Sequence, residues 1–203
     1  MPDPIPTNRS GLRFGVDVGG QFRKWFEEEY LPGFHDSHGD GAEIVVCILD
    51  STQTHDWRNP LGSLAYRLDG SDDVERIEGP EGLSANVAGK LAFHLRTGLP
   101  SRVAAHRPDL VEPGDFPLEG AGEYEGYTGG ASGLPDGADD WFVFVACVSK
   151  LIELRAAAAA KALAASKARE PGMKYLGASP LGPEHRTTGM KVAGTGPHGI
   201  EGN

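Results

Sequence analysis

The sequence predicts an α+β fold in which helices flank an antiparallel sheet. Hydrophobic periodicity indicates the order helix, strand, strand, helix, strand, strand, helix. Strand–helix–strand units do not alternate regularly, which disfavours a doubly wound parallel sheet. Hairpins joined by helices are instead typical of antiparallel sheets with helices packed on them. We therefore expect one layered domain, residues 19–169, between an N-terminal arm, residues 1–18, and a C-terminal extension, residues 170–203.

The composition is that of an acidic protein and excludes some classes of partner. The 203 residues carry a formal net charge of −10 and include 29 glycines and 15 prolines. This negative charge argues against nucleic acid, whose phosphates would be repelled. No apolar run approaches the roughly 20 residues that cross a bilayer, and the first residues lack the pattern of a secretory signal. We expect a cytoplasmic protein with neither a membrane nor a nucleic-acid partner.

The first half of the domain predicts one helix and a hairpin. Four aromatic side chains recur at helical spacing from Gly20 onward, and Pro32 with Gly33 is expected to end that helix. The β-branched run over 42–50 predicts a buried strand, and the alternation over 61–70 predicts a half-buried one. A connection of about ten residues between them suits a loose hairpin.

The middle of the chain predicts a loop, a second helix and a glycine-rich hairpin. Residues 71–82 are polar and are expected to form a loop. The next helix should cover 83–98, with Ser84 as its N-cap. The segment 115–134 predicts a short strand, a turn at 120–122 and a longer strand rich in glycine.

The last predicted helix is long enough to suggest assembly. It runs from about residue 138 to 169, and its second half is rich in alanine, the best helix former. At about 1.5 Å per residue it would be about 45 Å long, more than the diameter of a domain of this size. We therefore expect a homo-oligomer, with residues 150–170 and the extension as the contact.

Two cysteines, Cys47 and Cys147, lie inside apolar runs. Neither belongs to a CxxC motif, which disfavours a zinc knuckle or a thioredoxin-type site. We expect two buried thiols that act as small apolar side chains. A disulfide between them, or a nucleophilic cysteine, remains the alternative.

Several segments together suggest a family. IVVCILD and YRLDG end two of the predicted strands, and LSANVAGKLAFHLRTGLPS forms the second helix. The remaining pieces follow in this order: Phe116-Pro117-Leu118, Gly120 to Gly122, Ser132-Gly133-Leu134-Pro135 and Asp139-Asp140. The ordered set, over roughly residues 20–155, resembles the haem-degrading-domain family of GlcG/HbpS-like proteins. Close relatives often carry an acidic-His pair where this chain has Asp139-Asp140.

The resemblance implies a profilin-like sheet flanked by helices, often in ring or stacked oligomers. It also implies that the chain binds haem or another small organic ligand as an accessory or cofactor-handling protein. The pocket is expected between the second helix, the glycine-rich strand and the last helix, completed by a neighbouring subunit.

Five residues are the predicted ligand contacts. His94 lies on the apolar face of the second helix and could ligate a haem iron, although a core or interface histidine is the alternative. His106 follows in a loop, where ligands often bind, or is simply solvated. Lys90 could pair with a propionate or extend along the surface. Gly129 and Gly130 would let a helix or a ligand approach the strand closely.

A cofactor-independent enzyme using the same pocket is the alternative function. It would be an isomerase, hydratase or hydrolase acting on a catabolic or biosynthetic intermediate. Its candidate acid–base groups are His94, His106, Asp69 and Tyr124. Such groups should converge in a concave pocket with polar partners. A third option is a scaffold that only holds an assembly together.

A metal site is not predicted. The segment HDSHGD places His35 and His38 among Asp36 and Asp40, which are residue types that bind divalent metals. The segment is typical of a turn, however, and no third ligand follows at a fixed spacing.

Overall fold

The computed structural model describes residues 17–39, 42–49, 56–70 and 74–169. The predicted extension and nearly all of the predicted N-terminal arm lie outside these residues. Contacts divide the chain into two units, Met1–Ala164 and Ala165–Asn203. Only the end of one helix is described in the second unit.

Four strands form one antiparallel sheet in the order β2-β1-β4-β3. Their bounds are Val45–Leu49 for β1, Leu64–Asp69 for β2, Ala121–Tyr124 for β3 and Tyr127–Ser132 for β4. The first two strands form the predicted hairpin. Helices pack on both faces of this sheet, which confirms the α+β prediction.

The first helical region is longer than predicted. Helix α1, Val18–Trp25, continues through a π-helical turn, Phe26–Tyr30, into α2, Leu31–His38. The expectation that Pro32 ends the helix is therefore wrong. Proline clashes with the carbonyl four residues earlier in a regular α-helix. The wider π turn precedes the proline, and the Leu31 N–H bonds to the Phe26 carbonyl five residues back.

The glycine-rich hairpin turns later than predicted. The turn lies at Glu125 and Gly126, whose φ angles are 50° and 76°, and not at 120–122. Two successive positive φ angles are typical of the type I′ turn, whose twist matches that of the flanking strands. The residues expected to form the turn therefore begin β3.

The helices of the second half differ from expectation at their ends. A short helix, α3 (Val74–Glu78), interrupts the predicted loop. Helix α4, Leu83–Thr97, matches its prediction and ends at the left-handed Gly98, but its N-cap is Gly82 and not Ser84. Two 3₁₀ segments, Ser101–His106 and Pro108–Leu110, follow it. Helix α5, Gly137–Arg169, matches the predicted long helix.

The core consists of two clusters, one on each face of the sheet. Alternate strand residues point to opposite faces, so Val46 and Ile48 join the cluster under α1 and α5, whereas Val45 and Cys47 join the cluster under α3 and α4. Cys147 belongs to the first cluster. Both cysteines are buried and free, so the disulfide alternative is wrong.

Within the described residues, no helix combines the length and apolar character needed to span a bilayer.

Candidate functional site

His94 lies in the last turn of α4 and has a fixed ring orientation. Its Nδ1 lies 2.9 Å from the carbonyl oxygen of Leu99. Because a carbonyl only accepts hydrogen bonds, Nδ1 carries a proton, and in the neutral imidazole Nε2 is then the nitrogen with the lone pair. Gly98 makes this contact achievable, since its φ of 71° turns the chain back toward the imidazole.

His94 lines a recess of about 240 Å³ at the outer edge of the sheet. We call this the His94 recess. Its lining residues come from α4, the turn and the 3₁₀ segment after it, the loop before β3, β3 itself and the start of α5. They are His94, Gly98, Pro100, Arg102, Glu119, Ala121, Glu123 and Trp141. Three elements therefore converge on the end of α4.

Trp141 forms an aromatic wall of the His94 recess, and a glycine makes room for it. A Cβ atom added to Gly122 would lie 3.2 Å from Cζ3 of the indole, so this strand position tolerates only a small residue. The ring also contacts Phe144, with 5.3 Å between the ring centroids. The indole is therefore held from two sides.

Two carboxylates and one guanidinium belong to the His94 recess. Arg102 Nη1 lies 3.9 Å from Glu119 Oε1, a long and partly exposed ion pair. Glu123 is exposed and has no ion-pair partner among the residues that the structure describes. It points to the same side of β3 as Ala121, toward α4.

His106 lines a neighbouring recess of about 430 Å³. It is exposed, at the end of the 3₁₀ segment Ser101–His106. This second recess shares Arg102 and Glu119 with the His94 recess. The two predicted histidines therefore lie in adjacent depressions with a common wall.

Lys90 is engaged by the protein itself. It is 1% exposed, and its Nζ donates to Asp140 Oδ2 at 2.8 Å and to the Ala131 carbonyl at 3.0 Å. Asp140 also accepts a hydrogen bond from the Leu134 N–H at 3.0 Å. Burial lowers the pKa of Lys90 and raises the pKa of Asp140. The surface interpretation of Lys90 is therefore wrong, and the ammonium is bonded to the protein's own atoms and does not line the His94 recess.

Gly129 and Gly130 are covered by the protein's own atoms. A Cβ on Gly129 would lie 2.5 Å from Phe144 Cε2, and one on Gly130 would lie 2.7 Å from Ala121 Cβ. The glycines therefore serve close packing of α5 and of the neighbouring strand. The space expected for a ligand above them is filled, and the His94 recess lies farther out, at β3.

The two other predicted acid–base residues lie away from the His94 recess. Asp69 ends β2, the opposite edge of the sheet from β3, which is about 14 Å away at roughly 4.8 Å per strand. Its Oδ2 accepts a hydrogen bond from Arg67 Nη2 at 3.0 Å, and burial raises its pKa. Tyr124 packs with the core cluster of the other sheet face. The four candidate catalytic residues do not converge.

The histidines of HDSHGD bond to the backbone. A ring nitrogen of His35 bonds to the Ala42 carbonyl at 3.1 Å, and His38 Nδ1 donates to the Phe34 carbonyl at 3.0 Å. Asp40 lies outside the described residues. Within the described part of the chain, no group of three residues could hold a metal ion.

The sequence analysis missed the other side chains of the His94 recess. Glu123 could have been found from strand alternation, had 121–124 been recognised as a strand. Trp141 lies in α5, and nothing local shows that this helix meets the end of α4. Arg102 lies in a short 3₁₀ segment and Glu119 in the loop before β3, where no periodicity indicates which way a side chain points.

Comparisons of the chain with protein-family models, with curated proteins and with solved structures found no match in any of the three. The family resemblance therefore stays a prediction from the residues alone.

Proposed function

We propose that this chain is a GlcG/HbpS-like protein that binds a small organic ligand in the His94 recess, as an accessory or cofactor-handling protein. One observation carries the proposal. The Leu99 carbonyl orients the His94 ring so that the neutral imidazole has its lone pair on Nε2, in a recess that also contains an aromatic wall and two carboxylates. Concave sites that combine apolar walls with a few convergent polar groups are the usual form of ligand pockets.

The volume of the His94 recess limits the ligand. Its 240 Å³ is somewhat below the roughly 300–1,000 Å³ of pockets for drug-sized molecules. At about 30 Å³ per water, the space corresponds to about eight waters, and so to a ligand of about ten non-hydrogen atoms.

Haem fits the described residues less well than a smaller ligand. In the neutral imidazole, Nε2 of His94 has the lone pair that an iron ligand needs. A tetrapyrrole is much larger than the His94 recess, however, and its propionates would meet Glu119 and Glu123. Lys90, the expected partner for a propionate, is buried against Asp140. Haem binding would require the two adjacent recesses to merge.

A cofactor-independent enzyme is the second candidate. The observation that favours it is the convergence of His94 with Glu119 and Glu123, since an imidazole with a free nitrogen beside carboxylates can transfer protons. Asp69 and Tyr124 take no part in this version, because they lie outside the His94 recess.

A ligand-observed NMR screen of compounds of about ten non-hydrogen atoms tests the binding proposal on the full chain. We expect to find compounds whose NMR signals are attenuated by the unchanged protein. Those signals should recover when His94→Ala or Trp141→Ala replaces it, because the variants bind the compound less. The control is His38→Ala, which removes an imidazole on α2. Binders that are unaffected by both recess variants would overturn the proposal.

Haemin titration is the second arm of this test. A Soret shift that His94→Ala or His106→Ala abolishes would support the haem version. If haemin produces no Soret shift and neither variant changes binding, the haem version is refuted and the small ligand remains.

A further inference from the structure

We infer that the His94 recess selects a small organic cation, namely a protonated amine carried on a compact apolar body. This inference rests on the proposed function and specifies the ligand class for the same recess. It is based on the donor and acceptor character of the lining groups, on their charge balance and on the aromatic wall.

Most polar side chains of the His94 recess are acceptors. In the neutral imidazole, Nε2 of His94 accepts, because the proton is on the Nδ1 that donates to Leu99. The carboxylates of Glu119 and Glu123 accept as well. A ligand that satisfies these three groups must donate several hydrogen bonds, as an ammonium with three N–H groups does.

The charge balance of the His94 recess is negative. Arg102 supplies one positive charge and lies 3.9 Å from Glu119, which leaves the charge of Glu123 uncompensated. The chain as a whole carries a formal net charge of −10, so its field attracts cations and repels anions. An anionic ligand would have to approach two carboxylates.

The apolar part of the lining suits the body of such a ligand. The indole of Trp141 lines the recess together with Pro100 and Ala121. Aromatic rings attract cations, with tryptophan the most effective, so the same wall can contact either the ammonium or the carbon skeleton. The fixed position of the indole against Gly122 means that little ordering is needed on binding.

Calorimetry on the full chain with three probes that share a 2-phenylethyl body tests this inference. The probes are 2-phenylethylamine, 2-phenylethanol and 3-phenylpropanoate, which are cationic, neutral and anionic. We expect the amine to bind at least about tenfold more tightly than the other two, which corresponds to about 1.4 kcal/mol. Added salt should weaken its binding, because charge attraction is screened.

Glu123→Gln is the decisive variant, because it removes the uncompensated charge from an exposed position without disturbing the core. It should reduce amine affinity at least about fivefold. Glu125→Gln in the turn of the same hairpin, outside the recess lining, is the matched control and should leave the affinity unchanged.

The outcomes separate the ligand class from the binding site. If the alcohol or the propanoate binds as tightly as the amine and His94→Ala abolishes that binding, the cation inference is overturned and the proposed function stands. If none of the three probes binds, the cation inference is overturned as well. The proposed function falls with it only when the wider NMR screen also finds no ligand that depends on His94.

Discussion

At the scale of single residues, the Lys90–Asp140 pair connects α4, the end of β4 and the start of α5. Both side chains are at most 2% exposed, and Asp140 also accepts the Leu134 N–H. A buried ion pair of this kind contributes little net stability, because desolvation offsets the attraction between the charges. Removing one partner is costly, since the other charge is left buried.

We expect Lys90→Met to reduce the free energy of unfolding by about 3–5 kcal/mol, because Asp140 then loses its counter-charge. Adding Asp140→Asn should restore part of the loss, since asparagine is neutral and still accepts the Leu134 N–H. Urea unfolding measures both variants. Asp139→Asn, an exposed neighbour, is the control and should change the free energy by at most about 1 kcal/mol. Equal losses in the single and double variants would contradict this account of the pair.

The two buried thiols make the free energy of unfolding depend on pH. Burial raises the pKa of Cys47 and of Cys147 in the folded chain, whereas unfolded thiols ionise near pH 8.5. Their contribution to stability is therefore complete below about pH 8.5 and is lost as the pH rises above that value. We expect the free energy of unfolding to fall by up to about 1.4 kcal/mol per pH unit for each thiol.

Denaturant unfolding between about pH 7.5 and 9.5 measures this decline. The control is the double variant Cys47→Ala with Cys147→Ala, whose curve should be flatter over that range. If the two curves run parallel, the thiols do not cause the decline.

At the scale of elements, two glycines inside regular secondary structure have different structural roles. Gly129 lies in β4, where an added Cβ would overlap the Cys47 carbonyl and lie 2.5 Å from Phe144 Cε2. Gly33 lies inside α2, where an added Cβ would meet nothing within 4 Å. The first permits close packing, whereas the second only adds backbone freedom.

Gly129→Ala is expected to lower the free energy of unfolding by about 1–3 kcal/mol through overpacking. Gly33→Ala should raise it by up to about 1 kcal/mol, since alanine is the better helix former. Thermal and urea unfolding of both variants measure the contrast. A stabilising Gly129→Ala would contradict the close approach of Phe144 to β4.

The elements that could be predicted are those whose structure follows from the residue pattern within the element itself. The periodicity of α4 and α5 and the β-branched run of β1 indicated the right structure because each follows from the pattern of its own residues. The π turn before Pro32 and the shifted hairpin turn depend on how the surrounding chain accommodates a proline or two positive φ angles. Propensity at single positions does not indicate such adjustments.

The site was predictable only in part, for a similar reason. His94 was identified from the face of a helix, but Glu123 and Trp141 come from β3 and α5, which lie much farther along the chain, and Arg102 comes from the 3₁₀ segment that follows α4. Asp69 was placed at a strand end correctly, yet the strand order puts it at the opposite edge of the sheet. Strand order depends on contacts between distant segments, which one sequence does not reveal.

At the scale of the whole molecule, the prediction of a homo-oligomer stays open to test. Phe142, near the start of α5, is 66% exposed, and Leu163, near its end, is 58% exposed. Exposed apolar side chains of this size would be covered if copies of the chain associated along this helix. These residues suit a contact between copies of the chain.

Light scattering with size-exclusion chromatography should report an oligomer for the full chain. If the extension contributes to the contact, a chain that ends at residue 170 should form an oligomer of fewer copies. Phe142→Ser should weaken association without affecting the core. A monomer for both the full and the shortened chain would contradict the prediction.

Imidazole nitrogen NMR measures whether His94 presents an unprotonated Nε2 to a ligand in the recess, as we propose. In long-range ¹H–¹⁵N spectra of the full chain, His94 should be protonated at Nδ1. Its Nε2 resonance should move on titration with 2-phenylethylamine, while those of His38 and His106 stay in place. A proton on Nε2 in the free protein, or a His94 resonance that none of the three probes and no compound of the screen moves, would contradict the account.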